Sequence, residues 1–594
     1  MATTQTTFPA RRTAAAPLRR GVARVFDRLT AWDDAVRSRW PFRTLVGPEL
    51  DAGLVSGDGA GLLLRPAILG LIAMTAIMAG VSQPNSPFVF KQAGAWFFGI
   101  PTAPAQTPSP VPLFLGLVAV YGGLVLLMRV WLTLARTMAQ VPGVPVRRLV
   151  WILVLWAVPV LIAPPLFSHD VYSYAAQGEM MSHHISPYLY GPGILGSGSS
   201  YQRLVDPIWM NAPAPYGPLF LQIDGFLASA SFHNELATVV LLRLLALVGV
   251  VMLAVGIPRL ARSLGRDPSE AFVLAVLNPV TMLHLLGGAH NDALMVGLLV
   301  LGLAAAKRGR PLVGIVVCTL AAAVKVPAAI GILYIGWEWM GPGVPVRERI
   351  RPVMTAGLLS AAVMGAFSLE TGLGWGWIGN LATPGTVTSW LAPATGVGIL
   401  VTHVSHWLGL GIPRHTLLSM TRVLGLLAAS AIGVWLLGRS DRIGTLKAIG
   451  TTCLLVTILG PVVQPWYLSW GLVLLAPVAV GRIRSMLLTL SVAAAFIGLP
   501  AGRQLVSDLL HANPLSVAAA LLACLFILTV PLTSMRVARS ARAMAMLAPA
   551  RQGSRASADL LEVHAGAAAR AATADAERSG LPGDRDVGTE PATV

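Results

Sequence analysis

The sequence predicts an all-α integral membrane protein, a polytopic helical bundle of roughly 14 spans with extracytoplasmic loops and interfacial helices. Only 12% of the 594 residues are charged and 55% are hydrophobic, whereas a soluble chain carries roughly 25% charged residues. Apolar runs long enough for a ~30 Å hydrocarbon core recur from Pro66 to Leu532. The runs are continuous and do not alternate, which excludes a transmembrane barrel.

Residues 1–60 are a basic segment, Arg11 to Arg43, with no short apolar stretch and cleavage site behind it. It reads as a cytoplasmic N-terminal segment ahead of a retained signal anchor near Pro66 to Val81. The membrane domain follows over 61–535. Its expected spans are 66–82, 111–128, 149–167, 236–257, 270–287, 291–306, 311–324, 326–340, 352–369, 417–437, 445–463, 467–481, 485–499 and 514–533. Residues 394–410 are expected to form an external interfacial helix. Residues 536–594, rich in Ala, Arg, Ser and Gly, read as a disordered cytoplasmic tail. Both termini are therefore placed in the cytoplasm and the protein in the plasma membrane.

The charges orient these spans. Arg136, Arg147 and Arg148, then Arg259, Arg262 and Arg266, then Lys307, Arg308 and Arg310 fall in loops on one side. So do Arg347, Arg349 and Arg351, Arg439 and Arg442, and Arg482 and Arg484. This is the positive-inside pattern. It also accounts for much of the net charge of +17, which lacks the basic face interleaved with aromatics that nucleic acid would want. Cys318, Cys453 and Cys524 lie in apolar runs without metal-like spacing, so they read as packing residues with no disulfide framework.

The other side collects polar and aromatic sequence: 83–110, 168–235, the Gly287–Asp292 turn, the Lys325 kink, 370–416, 464–467 and 500–513. A pump or channel would bury charge at mid-span along a pathway. Here the polar groups gather at one surface, which favours a site facing outward beside lipid headgroups. Asp170, in Ser168-His169-Asp170-Val171-Tyr172-Ser173-Tyr174, is a carboxylate where an apolar run ends. It suits a helix cap, or a base that takes a proton from an attacking hydroxyl. His290-Asn291-Asp292 after two glycines either caps the next helix or supplies site groups. Metal ligation by Asp170 with His290 or Asp292 is conceivable, yet no ligand spacing requires a divalent cation. Lys325, followed by Pro327, either snorkels to the surface or stands at the tip of a broken helix and binds an anion such as a lipid phosphate. Gln464-Pro465-Trp466-Tyr467 is either an interfacial belt or a sugar-stacking platform. His183, His184, His403 and His406 carry no assigned role.

The run Phe167 to Pro192, FSHDVYSYAAQGEMMSHHISPYLYGP, resembles the polyprenol-phosphate-mannose-dependent mannosyltransferases of the actinobacterial envelope, the MptA/MptB type. Pro215-Tyr216-Gly217-Pro218, His290-Asn291-Asp292-Ala293-Leu294, Lys325 and Gln464-Pro465-Trp466-Tyr467 look like further pieces of that pattern, over roughly residues 60–535. The resemblance leans toward the core-initiating MptB type. It implies a GT-C fold and Asp170 as the catalytic acidic residue, here a lone Asp where some relatives have Asp-x-Asp. It implies a polyprenyl-phosphate-mannose donor and an α-(1→6)-mannan or mannosylated glycolipid acceptor in lipomannan and lipoarabinomannan synthesis, in contact with membrane lipid and without nucleic acid. The mechanism implied is single displacement with inversion. Lys325 and His290 would meet the donor phosphate, while Tyr172, Asn291, Asp292, Gln464, Trp466 and Tyr467 would position sugars. A lipid-linked sugar flippase, or a GT-C enzyme using another polyprenyl-phosphate sugar, would share much of this pattern. The absence of a convincing internal repeat weighs against a transporter.

Overall fold

A computed structural model describes residues 59–82, 96–97, 100–101, 110–497 and 522–527. The basic N-terminal segment, most of 83–110, residues 500–513, most of the expected span 514–533 and the tail 536–594 lie outside the described residues. What is described belongs to one compact unit. Apart from an antiparallel ladder of Trp96–Phe97 with Ile100–Pro101, the regular structure is helical.

The helices that matter here are α1 (Gly59–Val81), α2 (Pro110–Gln140), α3 (Val146–Ile162), α4 (Asp170–Ser182), α5 (Pro218–Ala230) and α6 (Glu235–Ser263). They continue as α7 (Pro268–Ala275), α8 (Val280–Gly287, of π type), α9 (Asp292–Lys307), α10 (Pro311–Val324), α11 (Ala329–Glu338) and α12 (Val346–Glu370). The last set is α13 (Pro393–Trp407), α14 (Arg414–Leu437), α15 (Thr445–Leu459), α16 (Ser469–Leu475) and α17 (Gly481–Ala495). Their starts follow local chemistry. The Asn234 side chain accepts the Ala237 N–H at 2.9 Å to open α6, Asp267 caps α7, and prolines sit at the first turns of α5, α7 and α10.

Fewer described helices have full spanning length than the 14 expected spans. Among the described residues, α1, α2, α6, α12 and α14 are long and apolar enough to cross a bilayer, and α7 with α8 makes a sixth span bent by 53°. Others expected to span, such as α3, α9, α10, α15 and α17, have 14 to 17 residues, short of the ~20 a straight crossing needs. Breaks at Pro279, Lys325 and Pro465 divide several apolar runs. The stretch expected as an interfacial helix is α13.

Close packing of small residues sets the centre. A Cβ on Gly249 of α6 would lie 2.3 Å from the Ala293 carbonyl carbon of α9, and one on Gly297 2.7 Å from the Gly249 carbonyl oxygen. Backbones that approach so closely are typical of helix pairs in lipid. Trp131 of α2 donates to the Val273 carbonyl of α7 at 2.9 Å, and Asn278 to Ser491 of α17 at 2.8 Å.

The two ends of the bundle differ. At one end the basic loops are tied together: Lys307 pairs with Glu338 at 2.7 Å, Arg349 with Asp441 at 2.5 Å and Arg484 with Glu270 at 2.9 Å. The Gly143 N–H reaches Asp267 at 2.8 Å in the same way. Helix α9 begins at Asp292 and ends in Lys307, so its 16 residues lead from the acidic and aromatic end to this basic one.

Candidate active site

Helix α3 ends at Ile162, and the chain then runs through Pro164 and Pro165 to Phe167, whose φ is 58°. That left-handed turn, uncommon for an aromatic residue, launches α4 with Asp170 as its first residue. The Ser168 hydroxyl accepts the Asp170 N–H at 3.1 Å. Residues 171–180 of α4 are all buried, although the helix is only weakly apolar. It is enclosed because α5 lies directly on it: a Cβ on Gly178 would come 2.4 Å from the Asp224 carbonyl oxygen.

Asp170 stands between two cavities. The larger, about 350 Å³, is lined by Ser168, His169, Asp170, Asp206, Trp390, Gln464 and Trp466 among others. The smaller, about 30 Å³, is lined by Asp170, Ser173, Gln177, Trp209, Tyr216 and Tyr467 among others. The Asp170 side chain is 16% exposed. Burial pushes its carboxyl up to about 6, the Lys325 ammonium opposing and Asp292 adding to the rise. His290 Nδ1 lies 3.6 Å from Asp170 Oδ2 and 3.4 Å from the Tyr174 hydroxyl. Its ring stacks on Trp466 with centroids 3.8 Å apart. Burial, reinforced by Lys325, holds this imidazole well below the usual histidine range, so it stays neutral at physiological pH.

Behind Asp170 a second layer closes the site. Lys325 Nζ is 2.8 Å from Asp292 Oδ2 and 3.5 Å from Asn291 Oδ1. Trp470 Nε1 donates to the other Asp292 oxygen at 2.5 Å, and the ammonium sits 4.6 Å from the Tyr467 ring centroid. Lys325 can be here because α10 ends at Val324 and the chain extends at Lys325 (φ −155°, ψ 124°) before Pro327. The Pro215-Tyr216-Gly217-Pro218 run docks onto that break. Gly217 donates its N–H to the Val324 carbonyl at 3.0 Å, and a Cβ on Gly217 would lie 2.1 Å from the Ala323 oxygen. Glycine is required there.

The residues singled out in the sequence thus divide. Asp170, Gln464, Trp466 and Tyr467 line the cavities. His290, Asn291, Asp292 and Lys325 pack behind them, with Asp292 engaged by Lys325 and Trp470. Tyr172, expected at the sugar, is 3% exposed, lines neither cavity and lies near Arg243. Three further residues carry the site. His169 Nδ1 meets Asp206 Oδ2 at 2.9 Å on the larger cavity's wall, and that contact lowers the Asp206 pKa. Arg243, buried in α6, donates to the carbonyls of Val160, Ala163 and Gly287, tying the end of α3 to the turn before His290. An arginine in the apolar run 236–257 was the available signal for it. His169 and Asp206 offered none, being 37 residues apart in a polar loop.

A family model described as "Alpha-(1->6)-mannopyranosyltransferase, N-terminal domain" matches residues 67–341, and one described as "MptB C-terminal domain" matches 394–529. Alpha-(1->6)-mannopyranosyltransferase A of Mycobacterium tuberculosis is 35% identical over 343 residues, 55% of this chain and 65% of the relative. A probable alpha-(1->6)-mannopyranosyltransferase of Mycolicibacterium smegmatis is 34% identical over 393 residues, 60% of this chain and 69% of the relative. The chain belongs to the α-(1→6)-mannopyranosyltransferase family. Alpha-(1->6)-mannopyranosyltransferase B of Corynebacterium glutamicum is 31% identical over 344 residues, 54% of this chain and 57% of the relative. The chain therefore spans about two thirds or less of these relatives' lengths, save for 69% of the M. smegmatis one. No solved structure matches. Membership places the chain among mannosyltransferases, and the N-terminal family model covers both Asp170 and Lys325.

Proposed function

We propose that this protein transfers mannose from a polyprenyl-phosphate-mannose donor to an α-(1→6)-mannan acceptor of the lipomannan type, by single displacement with inversion at the anomeric carbon. The architecture we favour is of the GT-C type, with the Asp170 end of the bundle facing outward and the basic end in the cytoplasm. The observation that carries this reading is a carboxylate with a pKa near 6, reachable from two adjoining cavities that are walled by aromatic rings. A base of that strength is ionised at neutral pH and still able to take a hydroxyl proton as the bond forms.

Asp170 is assigned as the general base. The acceptor oxygen attacks the anomeric carbon as the bond to the phosphate oxygen breaks; the acceptor proton goes to Asp170 and the electron pair leaves with the phosphate. Trp466, Tyr467 and Gln464 supply ring faces and an amide for the sugars. His169, held by Asp206, is the basic side chain on the larger cavity's wall and is assigned to the departing phosphate. Lys325, first expected at that phosphate, is committed to Asp292. It acts instead as the fixed charge that limits the rise in the Asp170 pKa, and neutral His290 and Tyr174 hold the carboxylate's orientation.

The test uses membranes carrying equal amounts of wild type or Asp170→Asn protein, polyprenyl-phosphate-[¹⁴C]mannose and a short α-(1→6)-mannoside. Transfer by the wild type and none by the variant is expected. Equal transfer by both would remove Asp170 as the base.

A further inference from the structure

At the opposite end of α4 from Asp170 a second group of ligating side chains comes together. Glu179, on the last turns of α4, has one carboxylate oxygen 3.0 Å from His183 Nε2 and the other 2.8 Å from His233 Nδ1. The three donor atoms lie within 4.8 Å of one another. The two imidazoles stack at 25° with centroids 5.6 Å apart. His183 and His233 are 55% and 47% exposed, while Glu179 is only 11% exposed, so the carboxylate forms the floor and the rings form an open rim.

His183 follows from helical spacing, one turn beyond Glu179. His233 arrives from 54 residues away in the turn between α5 and α6, where Phe232 and His233 both have left-handed φ, 54° and 56°. Two successive non-glycine residues in that region cost free energy, and the cost is borne where it delivers an imidazole to Glu179.

We propose that Glu179, His183 and His233 form a binding site for a divalent transition-metal ion of the zinc type, separate from the Asp170 cavity. Two imidazole nitrogens and one carboxylate are a donor set suited to Zn²⁺, with the fourth tetrahedral position facing solvent. Mg²⁺ and Ca²⁺, which prefer all-oxygen surroundings, suit it poorly. Glu179 lies nine positions along the helix from Asp170, about 13.5 Å along the axis, so the ion is remote from the proposed transfer reaction. Its role is a clasp. It joins the end of α4 to the α5–α6 turn and so fixes the helix whose other end presents Asp170.

The test takes the full-length protein purified in detergent, strips it with a chelator and dialyses it against Zn²⁺ or Mg²⁺. Metal per chain is then measured by mass spectrometry for wild type and the His183→Gln, His233→Gln double variant. Wild type is expected to retain about one more Zn²⁺ per chain than the variant and to retain no Mg²⁺. Zinc, but not magnesium, should raise the wild-type melting midpoint and leave that of the variant unmoved. X-ray absorption on the wild type gives a readout that needs no variant: two imidazoles at about 2.0–2.1 Å. Equal zinc in wild type and variant, no zinc in wild type, or an absorption spectrum without imidazole would each overturn the site.

Discussion

The role proposed for Asp170 rests on how its surroundings set its protonation. Its folded pKa lies above the ordinary carboxyl value, so stability linked to it is fully present below pH 4 and is lost as pH rises through about 6. The proposed catalysis runs the other way, since a general base must be ionised. The kcat/KM profile should therefore show an acid limb with its midpoint near pH 6, read from initial rates between pH 4.5 and 8. A flat profile across that range would exclude Asp170 as the titrating base. Asp170→Asn should abolish transfer yet raise thermal stability at pH 7.5 by on the order of 1–2 kcal/mol, because the amide removes a buried charge. Lys325 behaves oppositely. Lys325→Ala leaves Asp292 buried and unpaired, and should cost about 3–5 kcal/mol in melting experiments. Adding Asp292→Asn to a Lys325→Met protein should recover much of that loss, while an unrecovered double variant would mean that Lys325 holds the fold through other contacts.

At the scale of elements, the site is built on interruptions. The α3–α4 turn at Phe167, the Gly287–Asn291 turn between α8 and α9, the α10 break at Lys325 and the turn at Pro465 all point at one place. Each frees backbone groups that a continuous helix would have used, and neighbours satisfy them. Arg243 takes carbonyls at the first two, and Gly217 takes the Val324 carbonyl at the third. Gly217→Ala should consequently displace the Tyr216 loop from the Lys325 break and lower transfer at least as much as any single cavity-lining aromatic. Transfer assays beside a melting curve would show whether the loss is catalytic or global. Wild-type activity would contradict the close approach seen here.

For the whole molecule, the two ends of the bundle predict its sidedness. Basic loops linked by Lys307–Glu338, Arg349–Asp441 and Arg484–Glu270 form one end, and the Asp170 cavities the other. Single cysteines at Arg308 and at Ile194, both exposed, should react with impermeant thiol reagents from opposite sides of sealed vesicles. Labelling of both from one side would break the proposed orientation.

The sequence by itself determined the helical, membrane-type character of the chain, since continuous apolar runs and scarce charge leave few alternatives. It also marked Asp170, His290, Lys325 and the Gln464–Tyr467 turn as one neighbourhood, because polar residues where apolar runs stop are costly without a purpose. It divided the apolar sequence into 14 spans, of which five described helices and one bent pair have the length and apolarity to cross alone, because hydropathy reads apolar runs and not where Pro279 bends one of them. Tertiary structure alone decided which of those polar groups face a cavity and which face each other. Lys325 turned inward to Asp292, Tyr172 was buried near Arg243, and His169 took the cavity wall with Asp206. Those pairings join residues tens of positions apart through backbone turns and close helix contacts. No periodicity in the chain encodes them, because a side chain's partner is fixed by where the helices end and how closely they pack.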